Sequence, residues 1–346
     1  MTRSEPLTAD VLRLDAHAEI DRICRALAGA VFQTMRKRGA VVGVSGGIDS
    51  AVVAALCARA LGKDRVLALF TPEQHSAADT LPLSRAVAAA IGVRTEHEDL
   101  TPALTALGCY RRQDEAIRQV LPAYGPGWRS KLVLPSVLDG GLRVFAIVAV
   151  DPAGREHRLR LSAAAMLELV AATNLKQRTR KLLEYHHAER RSFAVAGTPN
   201  RLEFDQGFFV KGGDGLADCK PIAHLYKTQV YQLAEALGLP AAVRERPPTT
   251  DTYSLPQGQD EFYFSLSYRE MDLCLYARNH GVPAAALTKA LGLTEAQIEL
   301  VLQDIDGKRH ATRYLHLPPL LVDAVPEVQA APPPPAVAHE RAEPAN

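Results

Sequence analysis

The chain has 346 residues, with 40 Lys and Arg set against 39 Asp and Glu for a formal net charge of +1. That length buries a substantial core, and so even a charge balance excludes the footprint of a general nucleic-acid binder. Five scattered cysteines (Cys24, Cys57, Cys109, Cys219, Cys274) form no Cys-x-x-Cys pair, the start lacks a secretory apolar core, and no apolar run is long enough to span a bilayer, so a cytoplasmic protein without a membrane segment is expected.

Residues from about Ala9 to Arg38 read as helical, because Leu14, Ile20, Ile23, Leu27, Val31 and Met35 recur at helical intervals between charges. Next comes Val41-Val42-Gly43-Val44, an apolar β-branched run that reads as a buried strand. It breaks at Ser45-Gly46-Gly47 and resumes after Asp49-Ser50 as Ala51-Val52-Val53-Ala54-Ala55-Leu56, a buried helix. A glycine turn between strand and helix aims backbone N–H groups and a helix dipole at one spot, where an anion such as a phosphate can sit. Gly46 and Gly47 allow close approach of the backbone. No Gly-Lys-Ser/Thr follows, so this is not the common kinase-type loop. Asp49 stands where a divalent metal can be held against phosphates.

Arg65-Val66-Leu67-Ala68-Leu69-Phe70 reads as a second buried strand, followed by the polar turn Thr71 to Asp79 and another helix. Strands alternating with helices predict a parallel sheet covered on both faces, with ligands at the carboxyl ends of the strands. His75 and Ser76 fall near such a site, although capping or solvent exposure is the plainer reading of each. Val93 to Leu100 reads as a third, more exposed strand, and Glu96-His97-Glu98-Asp99 as its solvated acidic end rather than a metal site.

The stretch from about 108 to 170 breaks the pattern and reads as an insertion. Arg143 to Val150 and Arg155 to Leu161 predict a hairpin around Asp151-Pro152-Ala153-Gly154. Asn174-Leu175-Lys176-Gln177-Arg178-Thr179-Arg180 then opens a helix to about Arg190, on which His186 and His187 read as packing or surface residues. Phe193-Ala194-Val195-Ala196 is a short buried strand feeding Gly197-Thr198-Pro199-Asn200-Arg201-Leu202-Glu203. Gly207 to Asp218 is too rich in glycine and charge for a core element and reads as a ligand-facing loop. Lys227 falls in the first turn of the next helix, where a lysine opposes the helix dipole and so favours an anionic partner. Glu245 to Asp251 is extended and stiffened by Pro247-Pro248. A helical tail follows, and residues 323–346, rich in Pro and Ala, are expected to be disordered after one domain spanning 1–322.

Ser45-Gly46-Gly47-Ile48-Asp49-Ser50 resembles the pyrophosphate loop of the N-type ATP pyrophosphatases. With the Asn174–Arg180 stretch, Gly197-Thr198 and Glu203, Gly207-Phe208-Phe209 with Lys211, Asp214 and Asp218, Leu225 to Val230, and Pro247 to Asp251 in order, the chain resembles the ammonia-dependent NAD synthetases from the first helix to about residue 275. The resemblance implies a doubly wound parallel α/β sheet with helices on both faces, of the adenine nucleotide alpha hydrolase kind, carrying an inserted segment with a hairpin. It implies adenylation of the nicotinate carboxylate of deamido-NAD by ATP with Mg2+, then displacement of AMP by ammonia. Carried over by position, Asp49 and Glu203 are the magnesium carboxylates, and Ser45, Gly46, Gly47 and Ser50 the pyrophosphate cradle. Thr198, Lys227, Thr249 and Arg178 contact ATP, and Lys211 and Asp218 meet deamido-NAD. A homodimer is implied. Nothing resembles a glutaminase, so ammonia comes from solution or from a separate protein.

Three features depart from the family pattern: the insertion, the turn Thr71-Pro72-Glu73-Gln74-His75, and a rearranged basic cluster at Lys308-Arg309-His310 and Arg313. The resemblance places all three on the acceptor side. They leave room for a paralogous ligase that adenylates another carboxylate, and for a nucleotide-binding protein without catalysis.

Overall fold

A computed structural model of the protein describes residues 7–139, 144–250, 252–258 and 260–328. In chain order its elements are α1 (Ala16–Ala28), β1 (Ala40–Gly43), α2 (Ile48–Leu61), β2 (Val66–Phe70), α3 (Thr80–Ile91), β3 (Arg94–His97), α4 (Thr101–Ala106), α5 (Cys109–Arg118) and β4 (Arg129–Val133). There follow β5 (Ala146–Val150), β6 (Glu156–Arg160), α6 (Ala163–Glu189), β7 (Ala194–Ala196), α7 (Arg201–Gln206), α8 (Lys227–Ala236), α9 (Ala241–Glu245), α10 (Tyr268–His280), α11 (Thr288–Leu291) and α12 (Glu295–Thr312).

Four strands pair in parallel in the order β3-β2-β1-β7. The inner strands are apolar on both faces, as strands covered by helices must be. Their period of two divides them cleanly. Ala40 and Val42 of β1, Val66, Ala68 and Phe70 of β2, and Ala194 and Ala196 of β7 pack with Ile20, Ile23 and Leu27 of α1, the apolar side of α2, and Val230 and Leu233 of α8. Val41, Leu67, Leu69 and Val195 face the other way, against Ala188 of α6. The doubly wound sheet expected from the sequence is therefore present, with helices on both faces.

Topology then fixes where a ligand belongs. From β1 the chain steps outward to β2 and β3, then returns to the opposite flank of β1 as β7. The order reverses between β1 and β7, so the loops leaving their carboxyl ends part and open a crevice.

Some boundaries differ from the sequence reading. The first helix is not continuous from 9 to 38: a short turn of helix (Ala9–Leu12) gives way to extended backbone at Arg13, and α1 starts afresh under an Asp15 cap before ending in a wider turn (Gly29–Thr34). The helix expected to open at Asn174 opens at Ala163, where the Ser162 hydroxyl accepts the Ala165 N–H at 3.1 Å. Burial of Ala165, Leu169, Ala172 and Lys176 continues one face through both halves.

The 108–170 stretch holds α5, a three-stranded antiparallel sheet ordered β4-β5-β6, and the first turns of α6. Its hairpin is the expected one. Asp151 Oδ1 accepts the N–H groups of Ala153 and Arg155, each at 2.9 Å, and Gly154 takes the left-handed conformation with φ +83°. This sheet shares a core with Ile117 of α5 and Leu169 of α6. A further helical layer forms around Met271 and Cys274 of α10 and Ile298 and Ile305 of α12. Residues 329–346 of the expected tail, and Asp251, lie outside the described residues.

Candidate active site

The turn after β1 is held by its own serines. Ser50 Oγ donates to Gly47 O at 3.0 Å and accepts the Ser45 N–H at 3.2 Å, and the Gly47 N–H reaches Ser45 Oγ at 3.4 Å. This leaves the first turn of α2, with no side-chain cap, facing the crevice. Gly46 has φ +72°, and a Cβ there would lie 2.8 Å from Leu83 Cβ and 2.9 Å from the Thr80 carbonyl oxygen. Both the left-handed backbone and the packing require glycine. Gly46→Ala combines a left-handed penalty of roughly 1–2 kcal/mol with a clash against main chain. It is expected to lower kcat/KM for ATP by about tenfold or more, read from pyrophosphate release against ATP concentration.

Across the crevice, Asn200 follows β7 and caps α7. Its side chain accepts the Glu203 N–H at 3.2 Å, and Glu203 Oε2 accepts the Asn200 N–H at 3.1 Å. Asn200 Nδ2 also donates to Asp49 Oδ1 at 3.0 Å. A single capping residue thus gathers a carboxylate from each side of the switch point. The second Asp49 oxygen accepts a hydrogen bond from Lys227 Nζ. Lys227 opens α8, whose first N–H groups are fixed by Asp272: Oδ1 accepts Lys227 N–H at 3.2 Å, and Oδ2 accepts Thr228 N–H at 2.6 Å.

Electrostatics follow from this packing. Burial alone would depress the Lys227 ammonium, but Asp49 and Glu203 outweigh it and hold it above the ordinary lysine range. Removal from bulk water, reinforced by the neighbouring Asp49 charge, pushes the Glu203 carboxyl up to about 8 against the pull of Lys227. Two carboxylates beside one ammonium thus resist ionising together, a conflict that a further cation would relieve. Among the described residues no group of three or more His, Cys, Asp and Glu side chains could hold a metal. The Asp49 and Glu203 carboxylates offer oxygen donors of the kind a hard cation takes alongside phosphate oxygens and water.

Asp49, Glu203 and Lys227 line a cavity of about 540 Å3. Of the residues singled out by sequence, it brings together Ser45, Gly47, Asp49, Ser50, Thr198, Glu203, Lys227 and Thr249. Gly46 shapes the turn from behind. Arg178, Lys211 and Asp218 lie outside the lining. Arg178 is exposed and donates from Nε to the Lys211 carbonyl at 3.3 Å, while Lys211 Nζ donates to the carbonyls of Tyr314 at 2.9 Å and Leu317 at 3.3 Å. Asp218 pins the sheet edge, accepting Val195 N–H at 2.7 Å and the Tyr185 hydroxyl at 3.0 Å.

The cavity instead meets Arg180 and Asp214. Asn174, Gln177, Arg180 and Glu184 share one face of α6 at helical spacing, which a helical projection separates from Arg178. Arg246 was also missed: it lines the cavity and binds Asp79 Oδ1 at 2.9 Å and Thr80 Oγ1 at 3.2 Å beside the serine turn. The rearranged basic cluster is committed elsewhere, with Lys308 on Asp304 at 2.7 Å and Arg309 on Asp205 at 2.6 Å.

Beneath one wall lies a network that sequence gave no sign of. Lys176 and Glu73 are completely buried and paired at 3.0 Å. Lys176 Nζ also donates to His75 Nδ1 at 2.9 Å and to Thr252 O at 2.7 Å, and the Tyr110 hydroxyl donates to Glu73 Oε2 at 2.9 Å. Burial, and then the Lys176 ammonium, lower His75 to about 4 despite Glu73. The folded protein keeps this ring neutral where the unfolded chain takes up a proton. Stability is thus complete above about 6.5 and falls, by roughly 3 kcal/mol from this group, as pH drops towards 4. Urea midpoints measured from pH 4 to 7 are expected to show that slope, and His75→Asn to flatten it.

A profile of the NAD synthase family matches residues 19–120 and 145–314, passing over 121–144. The matched residues thus run through both ends of the 108–170 stretch. The NH3-dependent NAD+ synthetase of Mesorhizobium japonicum is 58% identical over 312 residues, spanning 90% of this chain and 98% of the relative. Among solved structures, the NMN synthetase of Francisella tularensis aligns with a TM-score of 0.63 at 19% identity, over 89% of this chain and 99% of that one. The NH3-dependent NAD synthetase of Campylobacter jejuni aligns at 0.58 and 21%, over 90% and 100%. At such identities the two structures speak for the shared fold.

Proposed function

The chain belongs to the NAD synthase family, and from that membership we infer that it is an ATP-dependent ligase that uses ammonia to convert the nicotinate carboxylate of deamido-NAD into the carboxamide of NAD. The observation that carries the site reading is the meeting of Asp49, Glu203 and Lys227 beside the uncapped first turn of α2.

The substrate carboxylate attacks the α-phosphorus of ATP, the bond to the bridging oxygen breaks, and pyrophosphate leaves with its electron pair. Ammonia then attacks the acyl carbon, and AMP departs. The chain supplies alignment and charge rather than a nucleophile. Backbone N–H groups of the Ser45–Ser50 turn hold the departing phosphate oxygens, and Lys227, kept charged by its two carboxylates, offsets the charge gathering there. Thr198 and Thr249, both lining the cavity, contact ATP. On α6 Arg180, rather than Arg178, faces the nucleotide. Asp49 and Glu203 would hold Mg2+, which when bound neutralises phosphate charge.

Burial raises all five cysteine thiols above their usual range, so none is poised as a glutaminase nucleophile. The relative's name as an NH3-dependent synthetase supports ammonia reaching the site from solution or from a separate protein. Among the described residues no helix is long and apolar enough to cross a membrane. A cytoplasmic homodimer completes the reading. Identity of 58% across nearly the whole of an NH3-dependent NAD+ synthetase weighs against a paralogue with another carboxylate. Deamido-NAD labelled with 18O in its carboxylate is expected to pass one 18O atom to AMP. Unlabelled AMP formed alongside NAD would refute the adenylate.

A further inference from the structure

Thr249 and Thr250 line the cavity from a segment with no helix or strand of its own beyond a single bridge between Thr249 and Gly258. Main-chain segments of that kind keep one arrangement only if their polar groups find partners. Here the partners come from β4. Among the described residues only β5 pairs with β4 in its sheet, leaving a second edge to be satisfied. Along that edge Ser130 N donates to Ser254 Oγ at 2.8 Å and Leu255 N donates to Ser130 O at 3.1 Å. The buried Gln257 carboxamide donates to Leu132 O. Its Oε1 accepts from Thr250 Oγ1 at 2.8 Å, and Thr250 N donates to Gln257 O at 3.1 Å. A chain of bonds therefore runs from β4 through Gln257 to the cavity wall. From the opposite side, Lys176 holds Thr252 O. β4 falls inside 121–144, the stretch that the family profile passes over.

We propose that β4 is an added brace, and Gln257 its positioning residue, which fix Thr249 and Thr250 in their nucleotide-facing arrangement before nucleotide binds. The assignment rests on the reading of that wall as part of the ATP site. Its consequence is selective: the brace sets ATP affinity and leaves the acceptor carboxylate's binding unchanged.

Hydrogen exchange on the full chain without nucleotide tests the brace directly. The Thr250 and Leu255 amides are expected to be protected in the wild type, and Gln257→Leu to speed their exchange by about tenfold. The same variant, and Ser254→Ala separately, are expected to weaken binding of α,β-methylene-ATP by about three- to tenfold, with KM for deamido-NAD within about twofold. A purely structural lesion would lower the melting temperature without that split. Free exchange in the wild type, or unchanged analogue affinity in Ser254→Ala and a folded Gln257→Leu, would overturn the proposal. Exchange and analogue binding need no turnover, so failure of deamido-NAD as substrate stays distinguishable from failure of the brace.

Discussion

Asp49→Asn is expected to reduce pyrophosphate release by about two to three orders of magnitude. The carboxylate holds a hydrogen bond on each oxygen, from Asn200 Nδ2 at 3.0 Å and from the buried Lys227 ammonium. Asparagine keeps an acceptor for one partner but turns an amide donor towards the other, and the charge is lost. Breaking one side of a buried pair costs about 3–5 kcal/mol, and each 1.36 kcal/mol of barrier is tenfold in rate. Glu203 stays in place because its capping box is independent of Asp49. The loss should therefore appear in kcat with little change in the far-ultraviolet circular dichroism. Undiminished release would remove Asp49 from the mechanism.

Lys227→Met carries the second large effect. Methionine fits the buried stem but leaves Asp49 and Glu203 facing each other without their shared cation. Glu203, already pushed up to about 8 by burial and Asp49, would rise further. A loss of about two orders of magnitude or more in kcat is expected, with a rise in KM for ATP, because the ammonium acts on charge that grows as pyrophosphate leaves. Lys227→Arg should not restore it: the side chain is 3% exposed, and the larger guanidinium has no room there. Initial rates across ATP concentrations at saturating ammonium separate the two parameters. A kcat within a factor of about two of wild type would exclude the assigned role.

Much of this site was legible because its determinants are local. A β-branched run, a Ser-Gly-Gly break and an apolar helix specify the β1–α2 turn whatever surrounds it. The helix opening at Lys227 is equally short-range, as is the Asn200–Glu203 capping box, which the sequence reading passed over. What escaped depends on partners distant in sequence. Arg178 and Arg180 look interchangeable along the chain, and the rotation of α6 alone decides which faces the cavity. Glu73 reads only as part of a polar turn and Lys176 as part of a helix opening, since nothing in their neighbourhoods reveals that each is the other's counter-ion, 103 residues apart. β4 carries the pattern Arg-Ser-Lys-Leu-Val, too polar to announce a strand, and is defined by β5 on one side and by Ser254, Leu255 and Gln257 on the other. The true start of α6 was hidden because Ala163–Val170 sits beside a hairpin and was absorbed into the apparent insertion.

The most direct measurement supplies the full chain with ATP, Mg2+ and ammonium, with and without deamido-NAD, and follows pyrophosphate while identifying the product by mass. The expected result is release that depends on deamido-NAD and yields NAD and AMP in equal amounts. Absence of deamido-NAD-dependent release, with ATP still bound, would contradict the substrate assignment and leave the nucleotide half of the site to find another carboxylate.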